Sequence, residues 1–361
     1  MTLHTETITL NQERNVTLSV LLQRLPDGKG GMKKRPAVLI IPGGAYGFCS
    51  DGEGEVVAYP YLQAGFHAFV LRYSVNVHRK WPNPLCDYEQ AMELIRANAE
   101  AWNLCADKIA VIGFSAGGHL AGCAATVSKN RPNAAIIGYA ALEQDIALAC
   151  QPGTDIPGPV DCVDDNTCPC FLFASRDDAV VPIWNTVHFE EKLIEFGISF
   201  ESHIYALGAH GYSTAEPSVA GKVPCRRQKD WVQESVEWLG DIFGQIHVDG
   251  LDEPICPRKI NGNREPMLSI DCTVAYLRTQ EAARTILQPV FAILESVFGA
   301  SGQLMDMANV SRLRDVLAFI QQDARQQEAL DAQLRQIENP DGKDFSGKVS
   351  SNQLDFLAWA K

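Results

Sequence analysis

The sequence predicts an α/β fold in which a mostly parallel sheet is flanked by helices, with a small helical module at the C-terminal end. Short, continuous apolar segments such as Ala37–Ile41 and Ile109–Gly113 alternate with segments of helical periodicity. A strand buried on both faces of a parallel sheet has this uninterrupted apolar character. Repeated strand–helix units predict a parallel sheet covered by helices. Over Ile270–Ile337 the pattern becomes almost entirely helical.

The individual elements follow in a regular order. Alternating apolar and polar residues over Thr7–Leu22 predict one or two antiparallel strands. The predicted strands after these are Ala37–Ile41, His67–Leu71, Ile109–Gly113, Ala134–Tyr139, Cys170–Ala174 and Phe200–Tyr205. The predicted helices are Val56–Ala64, Asp87–Trp102, Ala116–Ala125, Trp184–Phe196 and Asp230–Ile246, and a Gln/Arg/Glu-rich helix ends the module near Asp323–Ile337.

The character of the chain changes after Ile246. Residues 247–266 are rich in Asp, Pro and Gly, which is typical of a linker. We therefore place a domain boundary near residue 255. Residues 1–255 are expected to form the α/β catalytic domain, and residues 256–361 the linker plus the helical module.

Composition and charge narrow the class of protein. The chain has 361 residues, 46% of them hydrophobic, and a formal net charge of −13. An acidic surface repels phosphate groups, so we expect neither nucleic acid nor an anionic membrane as a partner. Met1–Leu10 shows no secretory signal pattern, and no apolar stretch reaches 18 residues. The chain is expected to be cytoplasmic, with its eleven cysteines reduced.

Two groups of residues raise the question of a metal. Cys162, Cys168 and Cys170 are the densest cysteine cluster, but they lack the paired C-x-x-C spacing of a zinc site, so we interpret them as thiols. An acidic trio, Asp51, Glu53 and Glu55, could bind a metal or a sugar hydroxyl. The simpler interpretation is a polar helix start, where carboxylates are favourable. We expect no metal and no organic cofactor.

The strongest local signal is Gly113-Phe114-Ser115-Ala116-Gly117, which matches the pattern G-x-S-x-G. A buried strand precedes it and an Ala/Gly-rich helix follows, which is the context of a turn that presents a nucleophilic serine. Small flanking residues are needed because this turn is strained and its backbone approaches its neighbours closely. The helix N-terminus also directs free N–H groups towards a developing oxyanion.

A second glycine-rich segment, Pro42–Gly47, directly follows the strand Ala37–Ile41. Acyl transfer through serine requires two backbone donors for the tetrahedral oxyanion. One donor is the residue after the nucleophile, here Ala116, and the other lies in a glycine-rich loop after an early strand, here Gly44 or Ala45. The alternative is an ordinary glycine turn.

A carboxylate and a histidine follow two later strands. Asp177 and Asp178 come after Cys170–Ala174, and His210 comes after Phe200–Tyr205. Because ligand sites of such sheets lie at the carboxyl ends of the strands, these side chains are expected beside Ser115. In that arrangement His210 is the general base, and one of the aspartates orients its imidazole.

Taken together, these motifs resemble the α/β-hydrolases of the esterase/lipase superfamily, close to bacterial acetyl-xylan and other carbohydrate esterases. The matching stretches are Ile40–Ser74, Asp107–Ala121, Asp178–Pro182 and His210-Gly211, within about 250 residues. In that family the acid precedes a Val-Pro pair by three positions, which favours Asp178 over Asp177. The resemblance implies an α/β-hydrolase fold and a serine esterase or deacetylase. Its triad would be Ser115, Asp178 and His210, and it would remove a short acyl group such as acetyl from a sugar or small alcohol.

Other functions and residues remain open at this stage. A serine peptidase of the oligopeptidase type shares the triad, and a non-catalytic binding protein is a second alternative. His119 either acts in catalysis or supports the oxyanion loop. Tyr46, His78 and Trp81 are candidates for substrate binding. Relatives usually have a longer cap-like stretch than residues 141–169, so the resemblance says little about the substrate pocket.

The C-terminal segment resembles a small helical module attached to some bacterial carbohydrate-active enzymes. The matching residues are Leu268–Val274, Ala282–Leu287, Met307-Ala308 and Leu313-Arg314. Apolar residues such as Leu287, Phe291 and Leu294 are expected to exceed what a short helical segment buries alone. The module is therefore expected to pack on the α/β domain or to mediate a homo-oligomer.

Overall fold

The computed structural model describes residues 3–24, 32–221, 225–260 and 267–339. The chain divides into two compact units, one of residues 1–193 with 198–258, the other of residues 194–197 with 259–361. The boundary near residue 255 and the roles of the two domains stay predictions. Residues 261–266 of the expected linker lie outside the described residues.

An eight-stranded sheet forms the centre of the first unit, in the spatial order β1-β2-β4-β3-β5-β6-β7-β8. Its strands are β1 (Leu3–Asn11), β2 (Val16–Gln23), β3 (Arg35–Ile41), β4 (His67–Arg72), β5 (Leu104–Phe114), β6 (Ala134–Gly138), β7 (Cys170–Ser175) and β8 (Phe200–Tyr205). Strands β1 and β2 form an antiparallel hairpin, and β2 pairs antiparallel with β4. Strands β3 to β8 are all parallel to one another. The predicted mostly parallel sheet is confirmed.

Helices connect the parallel strands. They are α1 (Glu55–Ala64), α2 (Asn83–Ala97), α3 (Ser115–Thr126), α4 (Gln144–Cys150), α5 (Trp184–Glu195), α6 (Pro217–Ala220) and α7 (Asp230–Phe243). The start of α2 differs from the prediction of Asp87, because Pro84 lies within its first turn. Proline is tolerated there, since its missing N–H would have no partner in the helix. Pro84 therefore lies inside this helix, which begins four residues before the predicted Asp87.

The closing helix α7 covers one face of the sheet with aromatic side chains. Trp231, Trp238, Leu239 and Phe243 are buried, at the spacing that places them on one helical face. Trp231 stacks on Phe173 of β7 with ring centroids 4.1 Å apart and planes 7° apart. Burial of each such side chain contributes about 1.5–3 kcal/mol. This packing holds the carboxyl ends of β5 to β8 in place beneath the loops that follow them.

The junction of β5 and α3 is packed backbone to backbone. A methyl group on Gly117 would lie 2.2 Å from the Ile41 carbonyl oxygen, and one on Gly113 would lie 2.3 Å from the Gly117 carbonyl oxygen. Only glycine fits at these two positions, although glycine within a helix costs about 1 kcal/mol relative to alanine. The glycines of the G-x-S-x-G motif thus let α3 approach both β3 and β5.

The second unit has a hydrophobic core of its own. Its helices are α8 (Val274–Thr279), α9 (Glu281–Phe298), α10 (Gln303–Val310), α11 (Leu313–Phe319) and α12 (Ala324–Leu334). Leu287, Phe291 and Leu294 of α9 pack in a single cluster with residues of the other helices. Five helices enclose these three residues together, whereas Ile293 and Val297 of α9 are exposed, and the expected packing on the α/β domain stays a prediction. A homo-oligomer through this unit stays a prediction.

None of the helices in the described part of the chain has both the length and the apolar character needed to cross a bilayer.

We expect residues 1–258 to fold without residues 259–361, because the first unit encloses its own core. The truncated protein should unfold cooperatively, with a Tm within about 5 °C of the first transition of the full chain, equivalent to about 1–2 kcal/mol. Circular dichroism and light scattering provide the measurements. A broad transition or an aggregated sample would contradict this, and a mass that falls by more than half would identify the second unit as an assembly element.

Candidate active site

The candidate residues follow strands of one half of the sheet, whose order is β3-β5-β6-β7-β8. Ser115 comes directly after β5, Asp178 three residues after β7, and His210 five residues after β8. The glycine-rich loop Pro42–Gly47 follows β3, which pairs with β5. Because parallel strands end at the same edge, the chain brings all four segments together there.

Ser115, His210 and Asp178 form a continuous hydrogen-bonded row. His210 Nε2 lies 2.8 Å from Ser115 Oγ, and His210 Nδ1 lies 2.7 Å from Asp178 Oδ2. An ionised carboxylate only accepts hydrogen bonds, so Nδ1 carries the proton and donates a hydrogen bond to Asp178. Nε2 is then unprotonated, and its lone pair accepts a hydrogen bond from the Ser115 hydroxyl. The row has the order and tautomer that proton removal from a serine requires.

Three donors keep Asp178 ionised. The N–H groups of Val180 and Val181 donate to Oδ1 at 2.8 and 3.0 Å, and His210 donates to Oδ2. Burial alone would raise the pKa of Asp178, but these hydrogen bonds outweigh it and hold the pKa below its ordinary value. The neighbouring Asp177 instead accepts the Gly208 N–H at 2.7 Å. The two aspartates therefore have separate positions, and only Asp178 contacts the imidazole.

Backbone strain is concentrated at the serine and at the facing loop. Ser115 has a φ of 53°, and Gly44, Ala45 and Tyr46 have φ values of 126°, 50° and 58° in succession. For residues other than glycine such a conformation costs about 1–3 kcal/mol and is maintained only by the surrounding structure. Within the described part of the chain, no acceptor pairs with the N–H groups of Gly44, Ala45 or Ala116. These amides remain available to an incoming oxygen atom.

The glycine-rich loop is fixed at its other polar groups. The Tyr73 hydroxyl donates to the Pro42 carbonyl at 2.8 Å, and the Ser50 N–H donates to the Gly43 carbonyl at 3.0 Å. The Gly43 N–H donates to Glu53 Oε2 at 2.9 Å. The loop is thus held by the Tyr73 and Glu53 side chains and by the Ser50 backbone, while the amides of Gly44 and Ala45 at its tip have no acceptor among the described residues.

The acidic trio of the sequence does not form one cluster. Asp51 and Glu55 pair with Arg72 at 3.0 and 2.9 Å on the surface. Glu53 lies apart from them, 5% exposed, with Oε1 accepting the Tyr139 hydroxyl at 2.6 Å. The interpretation as a polar helix start therefore applies to Asp51 and Glu55 only among these three residues. Glu53 instead belongs to the interior of the site.

His119 supports the glycine-rich loop from α3. Its Nε2 lies 2.8 Å from the Pro157 carbonyl, so this nitrogen carries the proton, and its Nδ1 accepts the Tyr46 hydroxyl at 2.6 Å. Burial lowers the pKa of His119 to about 4, which keeps the ring neutral. Trp81 packs edge-on against it with centroids 5.8 Å apart. Tyr46, Trp81 and His119 therefore form the wall behind the loop.

The three residues proposed for substrate binding differ in exposure. Tyr46 and Trp81 are buried, whereas His78 is half-buried in a short 3₁₀ turn and its carbonyl accepts the Asn83 side chain at 3.0 Å. A large exposed aromatic lies elsewhere on this edge. Trp184, the first residue of α5, is 57% exposed and stacks on His188 with centroids 5.5 Å apart.

The short segment 141–169 lies against the site. The Ala141 N–H donates to the Ser115 carbonyl at 3.4 Å, and the N–H groups of Leu142 and Glu143 donate to Asn185 Oδ1 at 2.8 and 2.9 Å. Glu143 in turn contacts His188 Nδ1 at 2.6 Å. The segment thus connects the serine turn to the start of α5 and to the stacked pair of Trp184 and His188.

Among the cysteines, Cys123 contacts the wall of this site, with its Sγ 3.6 Å from His119 Nε2. All eleven are free thiols, and Cys170 Sγ donates to the Cys168 carbonyl at 3.2 Å. Nowhere in residues 3–24, 32–221, 225–260 and 267–339 do three His, Cys, Asp or Glu side chains gather as a metal site would require.

The chain is similar to one family model and to several solved structures. The BD-FAE family model matches residues 25–151. A crystal structure of MGS-M1, an alpha/beta hydrolase enzyme from a Medee basin deep-sea metagenome library, is 40% identical. It matches 66% of this chain and 98% of its own, with a TM-score of 0.62. The chain belongs to the α/β-hydrolases. The structure of an acetyl ester-xyloside bifunctional hydrolase from Caldicellulosiruptor lactoaceticus is 26% identical, over 66% of this chain and 96% of its own, with a TM-score of 0.58.

Two curated relatives share the α/β-hydrolase part. Endo-1,4-beta-xylanase B of Butyrivibrio fibrisolvens is 32% identical over 210 residues, which is 50% of this chain and 33% of that protein. Acetylxylan esterase of Xylanibacter ruminicola is 26% identical over 226 residues, which is 57% of this chain and 45% of that protein. The chain thus spans a third to less than half of the length of these two relatives. The expected place in the esterase/lipase superfamily is confirmed.

Sequence reasoning missed two polar residues of this α/β-hydrolase site. Glu53 was grouped with its exposed neighbours, and Tyr139 was assigned only to the end of a strand. No spacing in the sequence marks Glu53, because its partners Gly43 and Tyr139 are 10 and 86 residues away. A weak signal was the position of Glu53 close behind the glycine-rich loop.

Proposed function

We propose that this α/β-hydrolase cleaves carboxylic esters through an acyl-Ser115 intermediate, removing a short acyl group such as acetyl from a sugar or a small alcohol. The observation that carries the proposal is the row of contacts from Ser115 Oγ to His210 Nε2 at 2.8 Å and from His210 Nδ1 to Asp178 at 2.7 Å. The amides of Gly44, Ala45 and Ala116 are the proposed oxyanion donors.

In the acylation step His210 Nε2 takes the proton from Ser115 Oγ as the oxygen attacks the ester carbonyl carbon. The carbonyl π electrons move to the oxygen, which becomes an oxyanion bound by the free amides. The intermediate collapses, the bond to the alcohol oxygen breaks, and His210 returns the proton to the leaving alcohol. Asp178 stabilises the imidazolium between these two transfers.

Deacylation repeats the same proton path with water. His210 Nε2 takes a proton from the water as its oxygen attacks the acyl carbon, and the second oxyanion forms at the same donors. Collapse releases the carboxylic acid, and His210 returns the proton to Ser115 Oγ. Each proton is carried by the imidazole, so the proposed cycle uses no cofactor.

The relatives support an acyl group on a saccharide. Two of them are an acetylxylan esterase and an acetyl ester-xyloside bifunctional hydrolase, names that combine an acetyl ester with xylan or a xyloside. The exposed indole of Trp184 at the same sheet edge is an apolar surface on which the C–H face of a sugar ring can pack. We therefore propose acetylated saccharides ahead of simple alcohol esters.

A panel of substrates tests the reaction class. It includes p-nitrophenyl esters of increasing chain length, acetylated xylo-oligosaccharides and an aminoacyl anilide. Faster hydrolysis of acetyl esters than of long-chain esters would support the proposal. Faster turnover of the anilide would indicate a peptidase of the oligopeptidase type, and absence of all turnover would indicate a binding protein.

Replacement of Ser115 by alanine is expected to abolish ester hydrolysis while the fold persists. Loss of the nucleophile of such a triad lowers kcat by about 10⁶. Hydrolysis of p-nitrophenyl acetate and labelling by a fluorophosphonate measure the effect, and circular dichroism monitors the fold. Residual activity above a few per cent of wild type, or a wild-type protein that resists labelling, would refute the assigned nucleophile.

The two neighbouring aspartates form a matched pair for a second test. Asp178→Asn should lower kcat by about 10⁴, because an amide in place of the carboxylate favours the wrong imidazole tautomer. Asp177→Asn should lower it far less, since Asp177 contacts only the Gly208 N–H. Steady-state kinetics of both variants decide the matter, and similar kcat values would show that Asp178 is not the orienting acid.

A saccharide ligand is tested at Trp184. Trp184→Ala should raise KM for acetylated xylo-oligosaccharides by about tenfold, as expected from the loss of about 1.4 kcal/mol of packing, and leave KM for p-nitrophenyl acetate unchanged. Tyr59→Ala is the matched control, because Tyr59 is 61% exposed in the middle of α1. An equal effect on both substrates, or an equal effect of Tyr59→Ala, would rule out a sugar contact at Trp184.

A further inference from the structure

We infer that Glu53 is a positioning residue of this site, which joins the loop of the oxyanion donors to the loop of His210 and presents a negative charge to the imidazole. The inference rests on the proposed function. It is carried by the contacts of one buried carboxylate with residues of two other segments, one of which contacts the loop of His210.

The first contact fixes the oxyanion loop. Glu53 Oε2 accepts the Gly43 N–H at 2.9 Å, directly before the free amides of Gly44 and Ala45. A methyl group on Gly43 would lie 2.8 Å from Glu53 Oε2 and 3.1 Å from Ser115 Cβ. The carboxylate and the nucleophile therefore flank the same backbone atom. A shift of Glu53 would move Gly43 and the proposed donors relative to Ser115.

The second contact fixes the histidine loop. The Tyr139 hydroxyl donates to Glu53 Oε1 at 2.6 Å and accepts the Ser213 N–H at 2.9 Å. The Ser213 hydroxyl donates to the Gly52 carbonyl at 2.5 Å, so the turn that carries Glu53 is tied to the same loop twice. The Tyr139 ring also lies edge-on to the His210 imidazole, with centroids 5.1 Å apart. Glu53 thus supports the position of His210 through Tyr139.

The hydrogen bond at Oε1 fits an ionised carboxylate. If Glu53 were protonated at Oε1, it would donate to the Tyr139 oxygen, and the Tyr139 proton would then face no acceptor among the described residues. Burial raises the pKa of Glu53, whereas hydrogen bonds from Tyr139 and Gly43 and the facing His210 counter that rise. The carboxylate consequently protonates at a higher pH than an ordinary glutamate.

Charged and titratable groups surround this carboxylate on several elements. Those that face it or its hydrogen-bonded partners are Tyr73 after β4, Tyr139 after β6, Asp178 after β7, and His210 and Tyr212 after β8. On its own turn, Asp51 and Glu55 share the single guanidinium of Arg72. Glu53 is therefore a second carboxylate, beside Asp178, that faces His210.

The central test compares Glu53→Gln with Asp51→Asn. Glutamine is similar in size but has one acceptor oxygen, so it leaves the Gly43 N–H or the Tyr139 hydroxyl without an acceptor. We expect kcat to fall by about tenfold or more, which is less than the fall of about 10²–10³ on loss of an oxyanion donor. KM should change by less than about threefold. Asp51→Asn removes the same charge two residues away, at an exposed position, and should leave kcat unchanged.

The pH profile separates positioning from general support of the fold. In Glu53→Gln the acidic limb of kcat/KM should lie at lower pH, because no carboxylate remains at this position to be protonated as the pH falls. In Tyr139→Phe the limb should move to higher pH, because Glu53 loses a hydrogen bond that lowers its pKa and protonates earlier as the pH falls. Asp51→Asn should leave the limb in place. A role confined to folding would shift none of these profiles.

A double-mutant cycle tests whether the two residues act as one unit. The variant with both Glu53→Gln and Tyr139→Phe should have a kcat no lower than that of the less active single variant. Either change alone already breaks the connection, so the second change has nothing further to remove. Additive losses would overturn the inference. If Glu53→Gln does not fold, Tyr139→Phe still tests it, because an unchanged kcat and acidic limb in that variant would equally overturn it.

The rate of fluorophosphonate labelling at Ser115 keeps this inference separate from the proposed substrate. It reports activation of the serine without an ester of known structure. If no ester is hydrolysed but labelling is slower in Glu53→Gln and unchanged in Asp51→Asn, the proposed function fails while the role of Glu53 stands. Labelling at the wild-type rate in Glu53→Gln, together with full kcat, would refute that role.

Discussion

The passage from β5 into α3 at Ser115 is the constraint on which the rest of the site depends. Ser115 has a φ of 53°, and Gly113 and Gly117 on either side are in backbone contact with each other and with the end of β3. A strained residue persists only where its surroundings over-determine it. Here α3 is buried on all sides, and β5 lies in the middle of the sheet. Ser115 is therefore held between the centre of the sheet and a buried helix.

The other site residues are arranged around this turn by hydrogen bonds to buried polar groups. Asp178, His119 and Glu53 are each buried, and each has at least two partners with defined donor and acceptor roles. Burying such groups without partners would cost several kcal/mol, so their networks permit few alternative arrangements. The strained glycine-rich loop is kept in one conformation by the same networks. Rigidity at the site follows from satisfied polar groups as much as from apolar packing.

All the residues of the candidate site belong to the first unit, and the second unit has an independent core. Within the second unit, Arg314 pairs with Asp271 at 2.7 Å, and Arg278 lies over the Phe291 ring at 4.4 Å. These contacts fix its helices to one another. The contacts of the triad and of Glu53 described above therefore need no residue from the second unit.

The sequence by itself determined the order of strands and helices, the elbow at Ser115 and the positions of Asp178 and His210 at strand ends. These features are local, because apolar periodicity and short motifs are read within a few residues. The distinction between Asp177 and Asp178 came from a family spacing, and the structure gives the two side chains different partners. Only the tertiary structure decided that Glu53 leaves its acidic neighbours for the interior, that Tyr139 connects it to the histidine loop, and that Leu287 and its neighbours are enclosed within the second unit. Each of these depends on contacts between residues far apart in the chain, which no local pattern encodes.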